Sequence, residues 1–239
     1  HRTSRRQRQM CIRDRGSLAR KLAHEIKNPL TPIQLTIDRL REKYSNLLKE
    51  KDSENFKDNL KIINNQIKQI GNLVNEFSDF ARMPKPTLRE NNLVHLLKEN
   101  IKLLKELDNS IVIDLSSNSE KIILNSDKEQ ISRVFLNLIK NSIESIQQKV
   151  ENDSNFNKKI TIELTENDGH INLVIVDNGI GFGKFSENIK DILNPYFTTK
   201  KNGTGLGLSI VNKIINDHNG KIEFIPRNDG AEIKINFIK

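Results

Sequence analysis

Two apolar seams at heptad spacing constrain this chain more than any other feature. Leu22, Ile26, Leu30, Ile33, Ile37, Leu40, Tyr44 and Leu47 follow one another at steps of 4, 4, 3, 4, 3, 4 and 3. Phe56, Leu60, Ile63, Ile67, Ile70, Val74, Phe77 and Ala81 repeat the pattern at 4, 3, 4, 3, 4, 3 and 4. Such alternation lays one apolar stripe along a helix and is the mark of coiled-coil packing. The polar stretch from Lys49 to Asn55 reads as the turn of an antiparallel hairpin. Two helices cannot bury both seams by themselves, whereas dimerisation into a four-helix bundle can. Arg82-Met83-Pro84-Lys85-Pro86 ends the second helix, because two prolines one residue apart forbid its continuation. A first domain over 16–83 and a second over 84–239 follow.

Beyond the prolines the periodicity changes. Asn92 to Leu107 reads as a helix, and Ile111 to Leu115 and Lys121 to Leu124 as short strands. Asp127 to Gln148 is a strong helical pattern with Asp127 as its N-cap. Lys159 to Glu166 and His170 to Val176 flank Asn167-Asp168-Gly169, a hairpin signal. Residues 183–202 have weak periodicity and read as a mobile loop with a short helical piece. Leu206 to His218 is a helix stopped by Asn219-Gly220, and Lys221 to Ile225 with Ala231 to Phe237 close the chain as a hairpin. The class is α+β: a helical hairpin, then an α/β sandwich with helices on one face of a mixed sheet.

The formal charge of +8 suggests nucleic acid, but residues 1–15 alone carry six Arg against one Asp. The remainder holds 33 basic and 30 acidic residues, so no basic face of the folded part is expected and no nucleic-acid partner. Met10-Cys11-Ile12-Arg13-Asp14-Arg15 is what ATG-TGT-ATA-AGA-GAC-AG encodes, the last codon completed to Arg. That string resembles a transposon end used in sequencing libraries, so residues 1–15 read as a non-native or disordered basic segment. The alternative is a native basic juxtamembrane segment. The single cysteine, Cys11, excludes an internal disulfide framework. No apolar run reaches the ~18–20 residues of a membrane-spanning helix.

Four stretches carry chemistry. In His24-Glu25-Ile26-Lys27-Asn28-Pro29-Leu30, His24 lies two positions after Leu22 and so faces away from the seam. An exposed imidazole on a rigid helix can accept a phosphoryl group through one nitrogen while the other holds its proton. Glu25 is the candidate to orient that proton, and Asn28 shares the face of His24 one turn on. The missing N–H groups of Pro29 and Pro32 free the carbonyls of Glu25 and Asn28. Asn137 and Asn141 also share a helix face and can offer neutral oxygens to Mg²⁺ or donors to phosphate. Asp177-Asn178-Gly179-Ile180-Gly181 leaves an apolar run with a carboxylate able to accept from an adenine amino group. Gly203-Thr204-Gly205-Leu206-Gly207-Leu208 opens a helix, where backbone N–H groups meet anions, and Phe197 and Lys200 lie just upstream. The spacing is neither that of a Walker A loop nor of a dinucleotide fingerprint.

With these motifs in this order, the chain resembles the two-component sensor histidine kinases over about residues 17–239. His24 to Leu30 is similar to the H-box, Asn137 to Asn141 to the N-box, Asp177 to Gly181 to the G1 box, Pro195 to Phe197 to the F-box, and Gly203 to Leu208 to the G2 box. His24 to Leu35 and Asn194 to Leu208 look most like NtrY-like nitrogen-regulation sensors, with NtrB-like kinases close by. The resemblance implies a dimerisation and phosphoacceptor domain followed by a GHKL ATP-binding domain. It implies autophosphorylation of His24 from ATP, transfer to an aspartate on a response regulator, and phosphatase activity involving Asn28. Asn141 would hold Mg²⁺ with Asn137 assisting, and Asp177 would read adenine. Gly179, Gly181, Gly203, Thr204, Gly205, Leu206, Gly207, Phe197 and Lys200 would shape the nucleotide site, with 183–202 as its lid. A homodimer is implied, as the cytoplasmic portion of an inner-membrane sensor whose membrane segments lie upstream. In hydrolysing GHKL relatives a Glu stands where this chain has Asn137, which cannot serve as a base. That favours transfer over the alternative of a GHKL ATPase working as a nucleotide-driven clamp.

Overall fold

The computed structural model describes residues 23, 25–44, 50–107, 110–150, 156–182, 189–198, 200 and 203–239. The chain divides into two compact units, His1–Pro84 with Thr199–Leu206, and Lys85–Thr198 with Gly207–Lys239. The basic segment 1–15 lies outside the described residues.

The first unit is a helical hairpin. Helix α1 covers residues 25–44, running unbroken through Pro29 and Pro32, and α2 covers Glu50–Arg82. Ile37 packs on Leu60 and Ile67, with Leu30 and Phe56 against them, and the Tyr44 and Phe56 rings meet edge to face at 6.4 Å. These partners make the pair antiparallel. The expected turn at Lys49 to Asn55 is corrected: α2 already begins at Glu50. Residues 50–55 contain no Gly or Pro, and Glu and Lys are residue types of high intrinsic helix propensity. The helix ends at Arg82, two residues ahead of Pro84.

Each seam divides in two. Leu60, Ile67 and Val74, seven apart, are buried, while Ile63 and Ile70 between them are 45% exposed. On α1, Ile37 is buried, whereas Ile26 and Ile33 are 43% and 46% exposed. One half of each heptad stripe therefore packs within the hairpin and the other half is left at its surface.

The second unit begins with a strand absent from the sequence reading. Strand β1 (Arg89–Asn92) pairs antiparallel with β3 (Ile123–Ser126). Its sequence, Arg-Glu-Asn-Asn, has no apolar alternation to announce it. Asn92 is its last residue rather than the first of α3 (Leu93–Leu107), which it caps by accepting from Val94 N at 3.1 Å. Strand β2 (Val112–Ser117) starts one residue later and ends two later than expected. Helix α4 (Lys128–Val150) is capped as predicted: Asp127 Oδ1 accepts from the N–H groups of Glu129 and Gln130, both at 3.1 Å. Strands β4 (Lys159–Asn167) and β5 (His170–Asp177) are joined through Asp168 and Gly169, both at positive φ, as a two-residue hairpin turn demands. A short 3₁₀ turn, Ile189–Leu193, packs against α5 (Gly207–Asp217). Asn219, at φ 56°, terminates α5, and β6 (Lys221–Pro226) and β7 (Ala231–Ile238) complete the chain.

The main sheet runs β2-β4-β5-β7-β6, with β2 parallel to β4 and every other pair antiparallel. Ile160, Ile162 and Leu164 of β4, Ile171, Leu173 and Ile175 of β5, and Ile233, Ile235 and Phe237 of β7 are buried on one face. Helices α3, α4 and α5 pack on the sheet. The alternate residues, such as Asn172 and Asn236, are only partly buried and bond to each other on the opposite face at 2.7 Å. This period-two pattern fixes the register. His218, read from sequence as a packing or surface residue, is buried behind α5. Its Nδ1 lies 2.8 Å from the Ile214 carbonyl, and its Nε2 accepts from Asp127 N at 3.0 Å. Among the described residues no helix is long and apolar enough to cross a membrane.

Candidate nucleotide and phosphoacceptor sites

Asp177 breaks the rule of its own strand. It occupies the inward position that Ile171, Leu173 and Ile175 fill on β5, and it is 4% exposed. Burial pushes its carboxyl above the ordinary carboxylate range, opposed by the Gly179 N–H, the Ala231 N–H and the Ser145 hydroxyl. Asp177 Oδ1 accepts from Gly179 N at 3.0 Å and faces Ser145 Oγ at 3.5 Å. A carboxylate buried there is costly, and a carboxylate in such a place is a candidate for ligand recognition.

The turn after it is moulded by glycines. A Cβ on Gly179 would stand 2.2 Å from Ser145 Oγ and 2.6 Å from Ser145 C, so only glycine lets the turn lie against α4. There Ile180 N donates to Ser145 O at 3.3 Å. Gly181 has φ +66°, and its missing Cβ would meet Gly230 O at 2.4 Å. Gly230, at φ +98°, sits so close to β5 that a Cβ would fall 1.8 Å from Asp177 O. The sequence reading missed Gly230. Its signal was the Asn228-Asp229-Gly230 turn before β7, and only the pairing of Ala231 with Asp177 brings that turn to the site.

Helix α4 supplies the other wall. Asn137, Asn141, Ser145 and Lys149 are four apart and form one ridge along it. Ser145 supports Gly179, and Lys149 Nζ donates to Asn178 O at 2.9 Å while pairing with Asp229. Lys149 is a second residue the sequence reading missed. Asn137 Nδ2 bonds back to Arg133 O at 3.0 Å, and its Oδ1 is 3.4 Å from where a Cβ on Gly207 would lie. Gly207 thus brings the N-terminus of α5 against the Asn137 amide.

In the stretch before α5, Gly203 N donates to Lys200 O at 3.1 Å, and Leu206 N to Thr204 Oγ1 at 3.4 Å. Gly205 has φ +70°, Leu206 is fully buried, and the Thr204 hydroxyl bonds to Glu76 of α2. Phe197 is half-buried, its N–H bonded to Asn194 O at 3.2 Å, beside an exposed Tyr196 at φ 70°. Glu25 and Asn28 are exposed on α1. His24 lies outside the described residues, as do 183–188, 199, 201 and 202 of the expected lid. The structure thus gathers Asn137, Asn141, Asp177, Gly179, Gly181 and Gly207 around α4, and leaves Glu25 and Asn28 on the hairpin.

Comparison with known proteins identifies the family of both units. Residues 126–238 match the family described as histidine kinase-, DNA gyrase B-, and HSP90-like ATPase, and residues 14–86 match the His Kinase A (phospho-acceptor) domain. The catalytic domain of histidine kinase ThkA superposes with a TM-score of 0.54 at 30% identity, covering 64% of this chain and 95% of that one. The chain belongs to the sensor histidine kinases. Within that family it is 38% identical over 239 residues to a putative NtrY-like sensor histidine kinase of Rickettsia felis, covering 98% of this chain and 38% of the relative. The nitrogen regulation protein NtrY of Azorhizobium caulinodans is 36% identical over 222 residues, 92% of this chain and 28% of that protein. The chain therefore spans well under half the length of these curated relatives. ThkA in complex with the response regulator TrrA gives a TM-score of 0.66 at 27% identity, over 98% of this chain and 64% of that one.

Proposed function

We propose that this chain is the kinase portion of a two-component sensor, autophosphorylating His24 from ATP and passing the phosphoryl group to an aspartate of a response regulator. The observation that carries the proposal is the buried Asp177 carboxylate in its glycine cradle above the α4 ridge. An adenine amino group donating to that carboxylate would offset the cost of burying it. The close backbone approach at Gly179 and Gly181 leaves room for a flat base beside the turn.

Asn141, assisted by Asn137, would hold Mg²⁺ through amide oxygens. Among the described residues no group of three or more His, Cys, Asp or Glu stands together to hold a metal, which suits an ion shared with the nucleotide's own phosphates. Bound Mg²⁺ would neutralise charge on the phosphates. The Gly203–Gly207 stretch and Lys200 would cradle those phosphates at the start of α5.

For transfer, one nitrogen of neutral His24 attacks the γ-phosphorus. An N–P bond forms, the P–O bond to the β-phosphate breaks, and its electron pair leaves with ADP. Glu25 would take up the charge that develops on the ring by accepting the proton from the second nitrogen. The amide at Asn137 cannot act as a base toward water, which supports transfer over hydrolysis.

The exposed halves of the two seams support a second copy as the partner that closes a four-helix bundle. The 16–83 and 84–239 division and a place on the cytoplasmic side of a larger membrane sensor belong to the same reading. A docked regulator would present its aspartate to phospho-His24. The test is incubation with γ-labelled ATP and Mg²⁺. Acid-labile, alkali-stable label is expected on the wild type and absent from His24→Gln, and label persisting in that variant overturns the assignment.

A further inference from the structure

The main sheet ends at β2 on one side and at β6 on the other, and the β2 edge carries a built surface. Val112 N donates to Lys158 O at 3.0 Å, so Val112, Asp114 and Ser116 direct their backbone groups at β4. By strand alternation the N–H and C=O groups of Ile113, Leu115 and Ser117 point the other way, and no described strand pairs with them. An open row of donors and acceptors is a template for another extended chain.

The same three side chains face α3, and two clefts of about 350 and 460 Å³ run between that helix and the strand. They share Lys98 and Leu115, so they form one continuous groove. The floor of the larger cleft is Ile101, Ile113 and Leu115. Its helix side carries Lys98, Lys102 and Lys105, all exposed and none in an ion pair among the described residues. Glu106 and Glu120 are the acidic residues of the groove, one in each cleft. From Lys98 to Lys105 the helix rises about 10 Å, the reach of three to four residues of extended chain.

We propose that the β2 edge and the α3 lysines form a docking site for an extended acidic segment of a partner protein, added as a sixth strand beside β2. Its backbone pairs with Ile113, Leu115 and Ser117. One or two aliphatic side chains at alternate positions enter the groove over Ile101 and Leu115, and flanking carboxylates reach Lys98, Lys102 and Lys105. A second copy of this chain is disfavoured as occupant, because edge-to-edge pairing of two β2 strands would bring two lysine rows together.

The probe is the capped peptide Asp-Glu-Ile-Glu-Val-Glu-Asp, with Lys-Lys-Ile-Lys-Val-Lys-Lys as its charge-reversed counterpart, titrated into the full chain. Residue-resolved amide exchange is the decisive readout. The acidic peptide should slow exchange at Ile113, Leu115 and Ser117 and leave Val112, Asp114 and Ser116 as they were. The triple variant Lys98→Glu, Lys102→Glu, Lys105→Glu should weaken binding by about tenfold or more. The same variant should bind the basic peptide better. These substitutions are on the exposed face of α3, so folding is checked by an unchanged melting midpoint. Four results would overturn the proposal. They are no binding of the acidic peptide at millimolar concentration, binding without that alternating protection, concentration-dependent protection without peptide, and equal protection by vesicles containing phosphatidylserine.

Discussion

Replacing Gly230 by alanine tests how the candidate nucleotide site is held. The new Cβ would fall 1.8 Å from Asp177 O and 2.8 Å from Asn178 Cα, against a limit of 3.0 Å that real contacts respect. Both neighbours are backbone, so no side chain can swing aside. Either the β6–β7 turn or the end of β5 must move by about 1 Å, at a typical overpacking cost of about 1–3 kcal/mol. Alanine at φ +98° adds about 1–2 kcal/mol of backbone strain. Gly169→Ala isolates the second contribution, because Gly169 has φ +76° and open space where its Cβ would go. Gly230→Ala is therefore expected to cost about 2–5 kcal/mol and Gly169→Ala about 1–2 kcal/mol. For a unit of this size each kcal/mol lowers the melting midpoint by about 2–4 °C. Calorimetric titration of ADP supplies the functional arm: affinity should fall at least tenfold in Gly230→Ala and stay unchanged in Gly169→Ala. If the two variants melt together and bind ADP equally, Gly230 does not hold the Asp177 turn and the reasoning fails.

Asp177→Asn should abolish measurable ADP binding while raising the stability of the nucleotide-free protein near pH 7. Burial raises the folded-state pKa, so the stability linked to Asp177 is full below its unfolded value and is lost as pH rises through the folded one. Melting midpoints measured from pH 4 to 8 should show the gap between variant and wild type widening upward, and a gap that closes would count against the buried-charge account. Asn141→Ala should remove the Mg²⁺-dependent part of ATP affinity and spare ADP binding without metal, as read by calorimetry with and without chelator. Asn28→Ala, exposed on α1, should leave autophosphorylation near wild type and slow dephosphorylation of a phospho-regulator by about tenfold, ~1.4 kcal/mol on the barrier. Parallel loss of both activities would make Asn28 structural.

Local physics is legible in the sequence wherever an element's cause lies within one or two turns of it. The heptad steps marked α1 and α2, Asp127 marked the start of α4, Pro84 the end of α2, and Asp168-Gly169 the β4–β5 hairpin. The residues gathered at the candidate nucleotide site stood out in the sequence, because a carboxylate leaving an apolar strand and glycines at alternate positions violate the patterns around them. β1 was not legible, since four polar residues become a strand only by finding β3, some 30 residues later. Nor was the start of α2 at Glu50, because a polar run without Gly or Pro can continue a helix as readily as turn.

Tertiary structure alone decided three things. It chose which half of each heptad seam is buried, burying Leu60 and Ile67 and exposing Ile63 and Ile70, because that depends on the partner helix and not on spacing. It fixed the strand order β2-β4-β5-β7-β6, which leaves the β2 edge open beside the α3 lysines. And it carried Gly230 more than fifty residues along the chain to the backbone of Asp177. A contact set by sheet register leaves no local trace in composition or periodicity, since each partner's own stretch would look the same without it.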